Sequence, residues 1–158
     1  MKDSIKKGFS FGLTSGVITP LGLIIGLWAT TGSRSIILGG IFIIAIADAL
    51  SDALGIHISE ESKKKNSYKS VWESTSAAFF SKFVFALSFA IPILLLNLNL
   101  AMIVSIIWGL FLISWLSFLI SKKDNISRAK VIVEHVVLTI LVVLATYGIG
   151  RFVRAFIY

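Results

Sequence analysis

The sequence has no cysteine at all, which rules out disulfides, zinc–thiolate centres and cysteine-bound iron–sulfur clusters. Charge is scarce as well. Only 15% of the 158 residues are Asp, Glu, Lys or Arg, against about a quarter in an ordinary soluble domain. There are two prolines and two histidines. No nucleotide-binding loop appears, and no nucleophile stands beside a base, so nothing points to an enzyme. What fills the chain is apolar. Hydrophobic residues make up 56% of it and the mean hydropathy is +0.92. That surplus is more than a core of this size could bury, so its solvent must be lipid.

The expected fold is an all-α membrane protein with five transmembrane helices, forming a single transmembrane domain over residues 1–158. Hydrocarbon offers no partner for free backbone groups, and the apolar runs lack the alternation of barrel strands. The spans are expected at about 8–30, 35–58, 77–96, 100–120 and 129–152, each near the 20 residues a bilayer requires. Lys2, Lys6 and Lys7 precede the first run as in a signal peptide. The run is too long for one, and Ala29-Thr30-Thr31 is a poor cleavage site, so it reads as the first span. The segment Ser59–Ser76 reads as a polar loop, and Asn97-Leu98-Asn99 as a tight turn.

The net charge is +7. The cations lie at span ends, where lipid headgroups and topology explain them better than nucleic acid does. The N-terminus, second loop and fourth loop hold Lys2, Lys6, Lys7, Lys63, Lys64, Lys65, Lys69, Lys122, Lys123, Arg128 and Lys130. The opposite side holds Arg34, Arg151 and Arg154. This imbalance puts the N-terminus in the cytoplasm and the C-terminus outside.

Several side chains do not belong in oil. Asp48 and Asp52 are four residues apart in span two and share a helix face. Asp48 lies about 18 Å from the outer end at 1.5 Å per residue, just past the midplane. Inserting each acid costs at least about 2.5–3.5 kcal/mol. Two on one face imply a polar path, a bound cation or a protein partner, or else a protonated pair hydrogen-bonded between helices. Lys82 in span three and Glu134 and His135 in span five lie one to two turns inside the cytoplasmic boundary. Lys82 either snorkels, pairs with Glu134, or takes part in function. Glu134, His135, Glu60 and Glu61 are candidates for cation access or proton relay. His57, at the mouth of span two, is either an interfacial histidine or a ligand.

Span one carries Gly8, Gly12, Gly16, Gly22 and Gly26, a ladder that lets another helix come close. Pro20 cannot donate to the carbonyl of Gly16. With Ser15, Thr14 and Thr19 nearby, that carbonyl is either an oxygen ligand for a cation or part of a simple patched kink. Pro92 reads as a kink.

Four segments together resemble the vacuolar iron transporter family. They are Gly16-Val17-Ile18-Thr19-Pro20-Leu21-Gly22-Leu23-Ile24-Ile25-Gly26-Leu27, Ala49-Leu50-Ser51-Asp52-Ala53-Leu54-Gly55 with Ser59, Ala86-Leu87-Ser88-Phe89-Ala90, and Thr146-Tyr147-Gly148-Ile149-Gly150-Arg151. The resemblance implies a transporter of ferrous iron or manganese that works in exchange for protons. It also implies a homodimer, with the path at a two-fold interface lined by spans one and two. The chain departs from the family pattern at three places. Ser15 replaces a metal-binding aspartate, Asp52 stands where methionine is usual, and Ile56-His57 replace Glu-Tyr. The family's cytoplasmic metal-binding insertion is absent.

The expected site is therefore Asp48, Asp52, Ser15, the Gly16 carbonyl and His57, a mostly oxygen set suited to Mn²⁺, Fe²⁺ or a harder cation. No tightly bound cofactor is expected. The expected partners are the lipid bilayer, the metal ion, protons and a second copy, in a prokaryotic plasma membrane. A non-transporting scaffold of the same fold and a transporter of another cation are the competing readings.

Overall fold

The computed structural model describes residues 2–64, 66–120 and 127–157. The described residues form six helices and no strand: α1 (Asp3–Thr31), α2 (Arg34–Glu61), α3 (Tyr68–Ser88), α4 (Ala90–Leu95), α5 (Leu98–Ile120) and α6 (Arg128–Ile157). α3 and α4 are two parts of one span. Counted that way, the described residues form five helices long and apolar enough to cross a membrane. Lys65, Lys122 and Lys123, used above to orient the chain, lie outside the described residues.

The helices overrun the expected spans, most of all at the lysine-rich end. α3 starts at Tyr68, so much of the segment read as a polar loop is helix. The reason is local. The Ser67 side chain caps the helix by accepting from the Ser70 N–H. The added turns are then tied to the start of α1: Lys2 Nζ donates to Glu73 at 2.6 Å, and the Ser74 hydroxyl donates to the Ser4 carbonyl at 2.9 Å. At the other end the expected Asn97–Asn99 turn is shorter, because Asn97 Oδ1 accepts from Leu100 N–H at 3.0 Å and α5 begins at Leu98.

The third span breaks at Phe89, three residues before Pro92. Proline has no N–H for the Ser88 carbonyl and its ring crowds that carbonyl. The two prolines behave differently: α1 runs unbroken through Pro20. Arg34 then secures the end of the broken span by donating to the carbonyls of Leu94, at 3.3 Å, and Leu96, at 2.6 Å.

α1 is the axis of the bundle, packing against α2, α3, α5 and α6. Its glycines set how close those neighbours come. A β-carbon built on Gly8 would lie 2.0 Å from the Ser74 carbonyl oxygen, and one on Gly12 would lie 2.3 Å from that of Ala78. On Gly16 it would lie 2.8 Å from the Lys82 Cα. Backbone therefore touches backbone along the α1–α3 seam. Gly22 faces Val142 and Thr146 of α6 instead. The glycine ladder is thus used inside the chain rather than left free for a second copy. Around it lies a core of Leu13, Val17, Leu21, Ile24, Ile37, Ile41, Phe89, Ile93 and Ile113.

The outer faces are apolar. Phe42, Ile43, Ile46, Leu50 and Leu54 on α2, Ile103, Ile107 and Phe111 on α5, and Val137, Leu141 and Leu144 on α6 are all exposed. A water-soluble monomer does not display so continuous an apolar surface.

Candidate cation site

The α1–α3 seam delivers a lysine to the two aspartates. Lys82 follows the tightly packed Ser81 on α3, and its Cα lies against Gly16. Its side chain is 1% exposed, and a lysine is buried so completely only when it is paired. From that position Nζ donates to Asp52 Oδ2 at 2.5 Å and to Ser15 Oγ at 2.8 Å, and it makes a close ion pair with Asp48 Oδ2. α1, α2 and α3 thus each contribute to one cluster: Ser15, the Asp48–Asp52 pair, and Lys82.

The spacing of α2 makes this possible. Ala45, Ala49 and Ala53 are buried at four-residue intervals, and their small side chains bring α2 close to its neighbours. Asp48 and Asp52 flank that stripe, with side chains 31% and 21% exposed. The carboxylates therefore stand at the edge of the helix interface, with one side on Lys82 and the other open.

The cluster is not fully satisfied. Asp48 Oδ2 is buried but accepts no well-formed hydrogen bond, so the charge contact with Lys82 is all that holds it. Its formal charge is also unbalanced, with two carboxylates against one ammonium. A buried ion pair repays its desolvation only when geometry and hydrogen bonding are good. By that measure Asp52 is well held and Asp48 is not.

The other expected site residues are arranged as follows. Gly16 packs its backbone on Lys82. His57 is turned to α3, where Nδ1 lies 3.1 Å from Thr75 Oγ1 and the ring meets the edge of Trp72. Thr75 gives its own hydroxyl proton to the Val71 carbonyl at 2.9 Å, which leaves its oxygen free to accept from His57 Nδ1. Nε2 lies 4.0 Å from the exposed Glu61. Glu60 is buried and clasped by Lys7 at 3.5 Å, by Lys63, and by the Asn66 amide at 2.9 Å. That arrangement ties the end of α2 to α1 and to the following turn. Glu134 is exposed on α6, away from Lys82, whose partners are the aspartates. His135 bonds Ser117 of α5 at 2.7 Å. Among the described residues no three His, Cys, Asp or Glu side chains come together as a preformed metal cage.

Sequence reasoning missed the link from Lys82 to Asp48 and Asp52. The available signal was depth. The helix start at Tyr68 puts Lys82 near the middle of its span, at the depth of the aspartates, whereas a span beginning at 77 places it near the cytoplasmic end; opposite charges at equal depth in lipid have reason to meet.

Five long apolar helices and an apolar outer face make this the architecture of an integral, multi-pass membrane protein. In comparisons with known proteins, the chain matches no family model and no curated sequence.

Proposed function

We propose that the protein is a membrane transporter that carries a divalent metal ion, Fe²⁺ or Mn²⁺, out of the cytoplasm in exchange for protons, at a site built on Asp48 and Asp52. The observation that carries this reading is the convergence of Asp48, Asp52 and Ser15 on one ammonium inside the bundle. Donors that gather around one positive charge are able to hold another. Carboxylate and hydroxyl oxygens favour harder divalent ions over Cu⁺. The partial exposure of both carboxylates supports the same reading, since a cation needs a way in.

Coupling follows from charge. A carboxylate that binds a metal ion must be ionised, and a protonated one releases it. Cytoplasmic metal loading Asp48 and Asp52, followed by protonation from outside, moves the two in opposite directions. The resemblance to vacuolar iron transporters supports the substrate class, and the lysine imbalance supports the orientation.

A homodimer belongs to the same proposal. Ala47, Ser51, Gly55 and Ser59 form an exposed stripe of small residues on α2 beside the two carboxylates. A β-carbon on Gly55 meets nothing within 4 Å. Small residues at this spacing are how membrane helices associate, and a second copy seated there would cover the open side of Asp48 and Asp52.

One observation favours the scaffold reading. Lys82 satisfies Asp52 from within the chain, as a structural ion pair would. Flux separates the two readings. Purified protein in liposomes with a pH dye inside is challenged with Mn²⁺, Fe²⁺, Co²⁺, Ca²⁺ and Mg²⁺. Transport predicts uptake of Mn²⁺ or Fe²⁺ with opposite proton movement. Folded protein that moves none of these ions supports the scaffold.

A further inference from the structure

We infer that Lys82 is a tethered counter-cation: its ammonium occupies the place a transported cation takes, and it must leave Asp48 and Asp52 before that cation binds. The inference rests on the transport reading and adds what holds the site while it is empty.

The surroundings leave the ammonium as the cluster's own positive charge. α1 has no charged residue after Lys7, α2 offers only Asp48, Asp52 and His57 between Arg34 and Glu60, and α3 has only Lys82 between Glu73 and Ser88. His57 is engaged with Thr75. A divalent ion arriving while the ammonium stays would meet like charge at the same oxygens. The two therefore compete.

Lysine is suited to being displaced. Its charge is compact and rides on a flexible four-carbon stem, whereas an arginine would grip a carboxylate with a fixed fork. The lysine backbone cannot yield, because Gly16 packs directly against the Lys82 Cα and carbonyl. Release must therefore be a swing of the side chain. Asp48 is the carboxylate an incoming ion meets first, because its side chain is the more exposed of the two. Asp52 and Ser15 follow as Nζ withdraws from its two hydrogen bonds.

Mn²⁺ binding to the full-length protein in detergent, measured by titration calorimetry at one pH and salt concentration, tests this. Lys82→Gln removes the competitor and is expected to lower the Kd at least about tenfold, the scale of a charge lost at close range. Lys82→Arg keeps the charge and tightens the grip, so its Kd is expected to rise at least about threefold. A purely structural lysine predicts that both variants weaken binding. Glutamine binding no tighter than wild type, or arginine binding as well as wild type, overturns the inference. If Lys82→Gln does not fold, Lys82→Met, which also removes the charge, takes its place: tighter Mn²⁺ binding than wild type supports the inference and binding no tighter overturns it. Binding by the glutamine variant where wild type shows none supports the inference. If wild type binds and the glutamine variant binds no tighter, only this inference fails; if neither folded protein binds Mn²⁺, the transport reading fails with it.

Discussion

Alanine at Gly12 is expected to unseat α3 from α1 and destabilise the protein by about 3 kcal/mol, the upper range of overpacking in a well-packed interior. The added methyl carbon would sit 2.3 Å from the Ala78 carbonyl oxygen and 2.1 Å from the Ser81 hydroxyl. The hydroxyl can rotate, but the carbonyl belongs to a helix and moves only if α3 moves. Since Lys82 follows Ser81, the displacement also draws Nζ away from the aspartates. The control is Gly148→Ala on α6, where the new methyl meets nothing within 4 Å. Alanine gains about 1 kcal/mol over glycine in helix propensity, so that variant is expected to be neutral or slightly stabilised. Thermal unfolding of both in one detergent checks the contrast. Equal melting temperatures would mean that the α1–α3 seam is looser than described.

The second large effect concerns charge. Replacing Asp48 and Asp52 together by asparagine leaves the Lys82 ammonium 1% exposed with no anion beside it. Removing the partners of a buried charge costs about 3–5 kcal/mol. The open sides of the aspartates let some solvent reach the pair, which puts the expected loss at the lower end, about 3 kcal/mol. Adding Lys82→Met to the same chain removes the stranded charge and is expected to restore most of the stability. Rescue in the triple variant is the informative result, because it identifies the penalty as an unpaired charge rather than a damaged helix contact. A triple variant no more stable than the double would contradict the ion-pair account.

The spans were legible because lipid leaves few options: long apolar runs must be helices, and five of them appear in the order expected. The shared face of Asp48 and Asp52 followed from helical period alone. What sequence could not supply was which helices meet. The hydropathy boundaries put Lys82 and Glu134 near one end of their spans, but glycines on α1 draw α3 in against the aspartates of α2, and Glu134 is exposed on α6. The glycine ladder was visible as a close-packing signal, but not its target: period fixes which residues share a face and leaves open whether α3 or a second chain sits against it. Helix ends were underestimated for a related reason. Hydropathy marks where lipid ends, whereas Ser67, Glu73 and Ser74 continue helix beyond it by capping and by bonds to the start of α1.

The central claim is that the Asp48–Asp52 pair carries a cation across the membrane. Its most direct test is Mn²⁺ flux into proteoliposomes for wild type, Asp52→Asn and Glu134→Gln, with internal pH followed at the same time. The account predicts flux with counter-moving protons in wild type, loss of both signals by at least about tenfold in Asp52→Asn, and little change in Glu134→Gln, whose side chain lies away from the cluster. Undiminished flux and proton movement in a folded Asp52→Asn protein would contradict it.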